Sequence, residues 1–289
     1  MGETMSRNVS IPDYIRSGIS MPATHLGDIR SIMRYRRLAS ILERERKVAI
    51  GGIMITNTAE RNGAGSISFR YKGRNLKFHY DSREKLSEAI GMVSDEFIDG
   101  ESNRISVRGK DVVDIGAYVA DTAICYIVNG ARHVYAFEPY PYFYKVGVIN
   151  IRRNRMSKRI TMLNSGVGTG TGAASLDGAA RNFSRLGKGT GKKRIPIVDL
   201  GGITMKYKLK DAILKVDCEG CEYGIILESK DSTLRRFSRI QIEYHYGYMT
   251  LAKRLKEAGF RVNVESPVKK YNIATSSFMT VGFISAKRI

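Results

Sequence analysis

The sequence is short of acids, of cysteine and of long apolar runs, and each shortage excludes something. Against 48 lysines and arginines stand 28 aspartates and glutamates, a formal net charge of +20 in 289 residues. Such an excess favours an acidic partner, whether nucleic acid, anionic membrane or phosphorylated substrate, but names none; a solvated basic surface is the bland alternative. Three cysteines, Cys125, Cys218 and Cys221, are too few for a disulfide framework in a chain this long. Cys218-Glu219-Gly220-Cys221 has C-x-x-C spacing, but a closed zinc site needs four ligands and Cys125 falls on a predicted helix. A redox pair is one reading of that spacing; we read the two as small residues in a strand-to-helix turn. No stretch approaches the roughly 18 apolar residues of a membrane span. The N-terminus, with Glu3 and Pro12, lacks the apolar run of a signal peptide, so a cytoplasmic protein is expected.

What is present is a β-α-β pattern from Val112 to Pro139, VVDIGAYVADTAICYIVNGARHVYAFEP. An apolar run, Val112 to Ile115, is broken by Asp114 and ends at Gly116, as a buried parallel strand entering a tight turn does. A helix is predicted over Ala117 to Val128, stopped by Asn129-Gly130, and a second strand over His133 to Phe137, with Glu138 at its end. Ligands of open parallel sheets bind beyond the carboxyl ends of the strands, so Asp114, Gly116 and Glu138 converge on one ligand, and Glu138 suits the two hydroxyls of a ribose. A dinucleotide would need G-x-G-x-x-G in the first turn, but the three positions are Gly116, Tyr118 and Asp121. The extra acids repel a diphosphate and attract a cation. S-adenosylmethionine has a ribose and positive charge and no phosphate, and it is the expected cofactor.

The segments DVVDIGAYVADTAI, VYAFEPYPYFYKVGVINIRRN, ILKVDCEGCEYGIIL and IQIEYH together resemble the FkbM family of class I S-adenosylmethionine-dependent methyltransferases, over about Arg108 to Tyr248. In the family the first loop usually reads D-x-G-A-N-x-G; here Tyr118 stands for the asparagine and Ala120 for the second glycine. The resemblance implies a cofactor site made of Asp114, Gly116, Ala117, Tyr118, Asp121, Glu138 and Pro139, with Asn164, Ser165 and Gly166 near the adenine. It also implies a Rossmann-like α/β fold, a doubly wound, mostly parallel sheet of seven strands, and O-methylation of a sugar or other small hydroxylated molecule.

Two regions are expected: an accessory region, 1–104, and a methyltransferase domain, 105–289. The accessory region reads as an arm to about His25, a basic amphipathic helix from Leu26 to Lys47, strands over Ala49 to Ile55, Ser66 to Tyr71 and Asn75 to Tyr80, and a helix Arg83 to Phe97 capped by Ser82. In the second, a glycine-rich and then basic loop, Gly168 to Arg194, reads as a mobile substrate-side lid or plain disorder, with Ala173 to Leu176 pairing Ile195 to Leu200. Core strands follow at Ala212 to Val216 and Ile240 to Glu243, helices at Cys221 to Leu227 and Met249 to Ala258, and an antiparallel pair, Phe260 to Glu265 with Phe278 to Ala286, closes the sheet.

Methyl transfer to a hydroxyl requires alignment and a base. Asp217, Glu219, Glu222, Glu243 and His245 are the candidates, Asp217, Glu219 and His245 foremost, with ion pairs to the many cations the alternative for Glu222 and Glu243; two carboxylates close in one turn, Asp217 and Glu219, would raise one another's pKa. Asp217, Glu219 and His245 could instead hold a divalent metal, although none is expected. The basic helix and the loop Arg181 to Arg194 would serve an RNA methyltransferase as a phosphate-binding face, and the altered first loop leaves room for a non-catalytic binding protein.

Overall fold

The computed structural model describes residues 29–175, 194–272 and 277–289. The expected N-terminal arm and the basic loop from Arg181 to Lys193 lie outside the described residues. Helix α1 (Ile29–Glu45) turns Ala39 and Leu42 into the core and leaves Arg34, Arg37 and Arg44 exposed. Strands β1 (Lys47–Ile50), β2 (Ile53–Ala59), β3 (Gly65–Tyr71) and β4 (Arg74–Tyr80) then form an antiparallel sheet in that order. The single strand expected over Ala49 to Ile55 is a hairpin, because Gly51 and Gly52, with φ of 54° and 79°, reverse the chain between Ile50 and Ile53. Helix α2 (Leu86–Val93) continues into a wider turn, Ser94–Ile98, closed by Asp99 N–H on Ser94 O. Ser82 does not cap this helix as expected: its backbone starts a separate turn, Arg83–Lys85, and its hydroxyl serves the Glu84 carboxylate.

Strand β5 (Asp111–Ile115), helix α3 (Asp121–Val128), strand β6 (His133–Phe137), helix α4 (Pro141–Arg153) and strand β7 (Ile160–Leu163) are two successive β-α-β units with parallel pairing. Strands β8 (Gly166–Gly168), β9 (Gly172–Ser175) and β10 (Arg194–Asp199) make a small side sheet in which β9 pairs β10, as the sequence predicts, and does so antiparallel. The chain then turns into an unexpected helix, α5 (Leu200–Lys206), because the Asp199 carboxylate accepts the Gly202 N–H at 2.8 Å and caps it. Strand β11 (Ala212–Val216), helices α6 (Cys221–Glu228) and α7 (Asp231–Leu234), strand β12 (Phe237–Tyr244), helix α8 (Met249–Glu257) and strands β13 (Phe260–Val264), β14 (Val268–Asn272) and β15 (Ser277–Arg288) complete the chain.

The main sheet runs β13-β15-β12-β11-β5-β6-β7, with β14 paired to β15 outside that path. Neighbours from β12 to β7 are parallel, and β15 is antiparallel to both of its neighbours on the path. This is the doubly wound, mostly parallel seven-stranded sheet that the sequence predicts. Strand order reverses between β5 and β11, which opens a crevice at their carboxyl ends. Val113, Ile115, Leu214 and Val216 pack on one face with α5, α6 and α8. On the other, Val112, Ile213 and helices α3 and α4 join Leu42, Ile55, Phe78, Ile90 and Phe97 in one continuous cluster, so the accessory region completes the core of the sheet. Asn150 on α4 and Asn154 just after it satisfy the edge of β4: their side-chain oxygens accept His79 N–H at 2.8 Å and Lys77 N–H at 3.0 Å, respectively. Among the described residues no helix is long and apolar enough to cross a membrane.

Candidate active site

The crevice is built from the ends of β5, β6, β7, β11 and β12. Gly116 and Ala117 both donate their N–H to Phe137 O, at 3.0 and 3.1 Å, which ties the first loop to the end of β6. Gly116 has φ of 80°, and a Cβ there would lie 1.7 Å from Asp217 O, so only glycine lets this loop touch the turn after β11. Tyr118 and Ala120 also have positive φ, 45° and 65°. The loop therefore keeps left-handed conformations although a side chain stands where the family has its second glycine. The Tyr118 ring points to the accessory region, 4.4 Å from the Phe143 ring, with its hydroxyl 3.4 Å from Glu88 Oε2.

Glu138 accepts Tyr118 N–H at 2.9 Å and Tyr140 N–H at 2.8 Å, one on each carboxylate oxygen. Burial pushes its carboxyl up to about 8 against the pull of those two donors. Asn164 donates to Glu138 O and Pro139 O, both at 2.9 Å, and so joins the ends of β6 and β7. Ser165 is buried with no hydrogen-bond partner on Oγ, Gly166 starts β8, and Asp121 is buried in the first turn of α3.

The centre of the site is a residue not singled out by sequence reasoning. Lys215, buried in the middle of β11, places Nζ 3.3 Å from Asp114 Oδ1, 3.4 Å from Asp217 Oδ2 and 3.3 Å from Gly116 O. Burial alone would discharge this ammonium, but Asp114 and Asp217 on either side hold it protonated. The signal was available: a lone lysine interrupts the apolar strand Ala212 to Val216. His245, 1 % exposed, follows β12 and donates its Nδ1–H to Glu222 Oε1, 3.0 Å away, while Nε2 lies 3.9 Å from Asp217 Oδ1. Burial works against the charged imidazole, but the hydrogen bond and charge of Glu222, with Glu243 and Asp217 behind it, raise His245 to about 10. It is an imidazolium at neutral pH.

Next to Lys215 is a small cavity of about 30 Å³ lined by Glu96, Thr122, Tyr126, Lys215, Asp217, Gln241, Glu243 and Phe283. Register puts Asp114, Lys215 and Gln241 side by side across β5, β11 and β12, on the face covered by α3. Glu96 comes from the wide turn after α2, so the accessory region supplies one wall. The Oδ1 of Asp217 and the Oε1 of Gln241 are buried there without hydrogen-bond partners. Glu219, with φ of 56°, stands half-buried on the turn between Asp217 and α6. Cys218 and Cys221, read from sequence as two small residues, form a disulfide across that turn, which brings their Cα atoms to 5.5 Å. Among the described residues no three carboxylates, imidazoles or thiols are arranged to hold a metal ion.

These donors fit a cationic nucleoside. Glu138 and the unpartnered Ser165 hydroxyl can meet ribose and base, Asp114 is buried at the end of β5 with Lys215 as its ion-pair partner, and among the described residues no cluster of backbone N–H groups awaits a diphosphate. No curated protein sequence matches the chain. Among solved structures it is similar to a precorrin-6y C5,15-methyltransferase from Geobacter metallireducens, at 17 % identity over 67 % of this chain and 88 % of that one, TM-score 0.39. It is also similar to TYW2 of M. jannaschii in complex with AdoMet, at 16 % identity over 82 % and 91 %, TM-score 0.40, and to TrmK of M. capricolum in complex with S-adenosyl-homocysteine, at 10 % over 65 % and 67 %, TM-score 0.41. At that overlap none of the three speaks to what this chain acts on. The methyltransferase FkbM domain matches residues 114–262, more than half of the chain and every strand end described above. The chain therefore belongs to the FkbM methyltransferase family, with S-adenosylmethionine as its cofactor.

Proposed function

We propose that the chain methylates a hydroxyl of a sugar or other small, hydroxyl-rich molecule, with Asp217 as the base. The observation that carries this reading is the lining of the pocket beside Lys215: three carboxylates and an amide oxygen against one ammonium, in a molecule whose formal charge is +20. Acceptor atoms dominate that lining, so it favours a molecule rich in O–H or N–H donors and repels phosphate. When bound, S-adenosylmethionine supplies an electrophilic methyl group. Asp114, Tyr118, Glu138, Asn164 and Ser165 hold and orient it in this proposal, and Gly116, Ala117, Asp121, Pro139 and Gly166 shape the walls. Asp217 Oδ1 is buried without a hydrogen-bond partner and takes the acceptor's proton, while Lys215 balances the negative charge of the carboxylate through Oδ2. His245 as an imidazolium cannot take that proton; it faces Asp217 as a fixed positive charge, and Glu219 bounds the turn.

A second reading, methylation of RNA, is favoured by the exposed Arg34, Arg37 and Arg44 on α1 and by the net charge. One experiment separates the two. The protein is incubated with methyl-labelled S-adenosylmethionine and a cell extract divided into RNA, protein, lipid and small-molecule or glycan fractions, at low and at about 0.2 M salt. Phosphate contacts weaken steeply over that range through counterion release, whereas a small uncharged acceptor makes none. Label is expected in the small-molecule or glycan fraction, insensitive to salt, and Asp217→Asn should reduce it by about a hundredfold or more. Label in RNA that falls steeply with salt would replace this proposal with the second. No label anywhere together with no binding of S-adenosylhomocysteine would leave only a non-catalytic role.

A further inference from the structure

The Cys218–Cys221 disulfide encloses Glu219 and Gly220, and the two residues just outside it are Asp217 and Glu222. The enclosed residues are both left-handed, Glu219 at φ 56° and Gly220 at φ 118°. For Glu219 that conformation is sterically disfavoured and must be held by its surroundings. Glu222, fully buried, accepts Gly220 N–H at 2.7 Å on Oε2, and on Oε1 meets both the backbone N–H of His245 at 3.2 Å and its Nδ1 at 3.0 Å. The Cys218 sulfur lies 3.7 Å from that same Oε2. On the other side, Asp217 O fills the space that a side chain on Gly116 would need. One short turn thus touches the first loop, the proposed base and the carboxylate that charges His245.

We propose that Cys218 and Cys221 are a reversible redox site whose state sets the position of Asp217 and the hydrogen bonds that Glu222 makes to Gly220 and His245. The chemistry needs only a dithiol reductant; its consequence for methyl transfer rests on the function proposed above. Cys221 is half-buried at the first position of α6, whereas Cys218 is 5 % exposed, so a reductant thiolate attacks the Cys221 sulfur. The S–S bond breaks, Cys218 leaves with the electron pair and takes a proton. The reductant's second thiol then displaces Cys221 from the mixed disulfide, and the reductant departs as its own disulfide. Two electrons and two protons have moved to the cysteine pair. The new S–H of Cys218 is placed to donate to Glu222 Oε2, in competition with Gly220 N–H, and so draws charge from the carboxylate that holds His245. The groups facing His245 are Glu222 on α6, Glu243 on β12 and Asp217 after β11; reduction acts on Glu222 directly and on Asp217 through the freed turn.

The test uses the full chain in buffers of oxidised and reduced dithiothreitol. Alkylation with N-ethylmaleimide after denaturation should give one adduct, on Cys125, at the oxidising end and three at the reducing end. Nitrogen NMR of the imidazoles, with His245 assigned by His245→Gln, should show the His245 titration shifting to lower pH on reduction. Calorimetry should show S-adenosylhomocysteine binding weakened about three- to tenfold. A Cys218→Ser/Cys221→Ser double variant should behave as the reduced protein in both buffers, while Cys125→Ser keeps the response. Three adducts at every buffer ratio, or an unchanged His245 titration on reduction, would overturn the proposal. If S-adenosylhomocysteine binds in neither state, the cofactor assignment fails and the His245 titration still decides the redox site. Should the double variant not fold, the wild-type measurements decide alone.

Discussion

A lysine at the centre of a parallel strand is costly to bury, and Lys215 is tolerated because two carboxylates, Asp114 and Asp217, meet it at 3.3 and 3.4 Å. Removing the cation leaves two buried acids facing each other. Lys215→Met should therefore lower stability by about 3 kcal/mol, read as a shift in the urea midpoint at constant slope, and abolish binding of S-adenosylhomocysteine. A stable Lys215→Met with full binding would refute that account of the site. Glu138 gives a prediction in pH. Its folded carboxyl is raised from 4.5 to about 8, so between those values the folded protein binds more protons than the unfolded one and stability falls as pH rises, flattening above about 8. Ribose hydroxyls donate to the ionised form, so cofactor binding should release a proton and strengthen by up to about tenfold per unit between pH 6 and 8. Glu138→Gln should remove both slopes and weaken binding by about 1 to 3 kcal/mol. Glu138 and Asp217 were legible in sequence because each stands where an apolar run stops, and Asp114 because it breaks one just before its end. Lys215 also stands out, as a lone lysine in an apolar strand, but its role shows only when the fold sets Asp114 of the neighbouring strand and Asp217 of the following turn on either side of it.

Elements were legible where period and punctuation agree. The strands β5 and β6 and the strand Ala212 to Val216 sit where the apolar pattern puts them, since a buried parallel strand has no alternative use for such a run, whereas α3 begins at Asp121 and not at the expected Ala117, because Tyr118 and Ala120 take left-handed conformations in the loop before it. Errors came where glycine or a cap overrides pattern. Gly51-Gly52 splits one apolar run into two strands, and Asp199 starts a helix over Leu200-Gly201-Gly202, a sequence of poor helix propensity. The disulfide escaped for another reason: C-x-x-C spacing is compatible with two free thiols, and only the left-handed turn at Glu219 and Gly220 brings the sulfurs together. Gly116 tests how elements meet in the crevice. Gly116→Ala adds left-handed strain and a collision with Asp217 O, for a loss on the order of 3 kcal/mol in thermal or urea unfolding. Its effect on S-adenosylhomocysteine affinity should exceed that of Gly109→Ala, another positive-φ glycine whose Cβ would meet nothing within 4 Å. Equal effects of the two would mean that backbone strain alone, and not the contact between loop and turn, matters.

At the scale of the whole molecule, charge and core point in different directions. The surface is basic, yet the crevice collects Asp114, Glu138, Asp217, Glu222 and Glu243, so the acidic interior and the basic exterior select for different partners. The sequence reads as an accessory region to residue 104 and a domain beyond it, and buried side chains join across that point: Leu42, Ile55, Phe78 and Phe97 share a cluster with Ile124, Tyr126, Val134 and Ile151, and Asn150 on α4 and Asn154 just after it hydrogen-bond the edge of β4. Two regions that share one core lose it together. Calorimetry of the full chain should give a single transition whose van't Hoff and calorimetric enthalpies agree, at every salt concentration tried. Asn150→Leu, which leaves His79 N–H and Val119 O without their partner, should lower that one transition without splitting it, by about 2 kcal/mol. Two resolved transitions in the wild type would show that the accessory region folds apart from the sheet. Glu96 would then reach the acceptor pocket from a separately folded unit, and the pocket beside Lys215 could open without unfolding the strands that hold the cofactor.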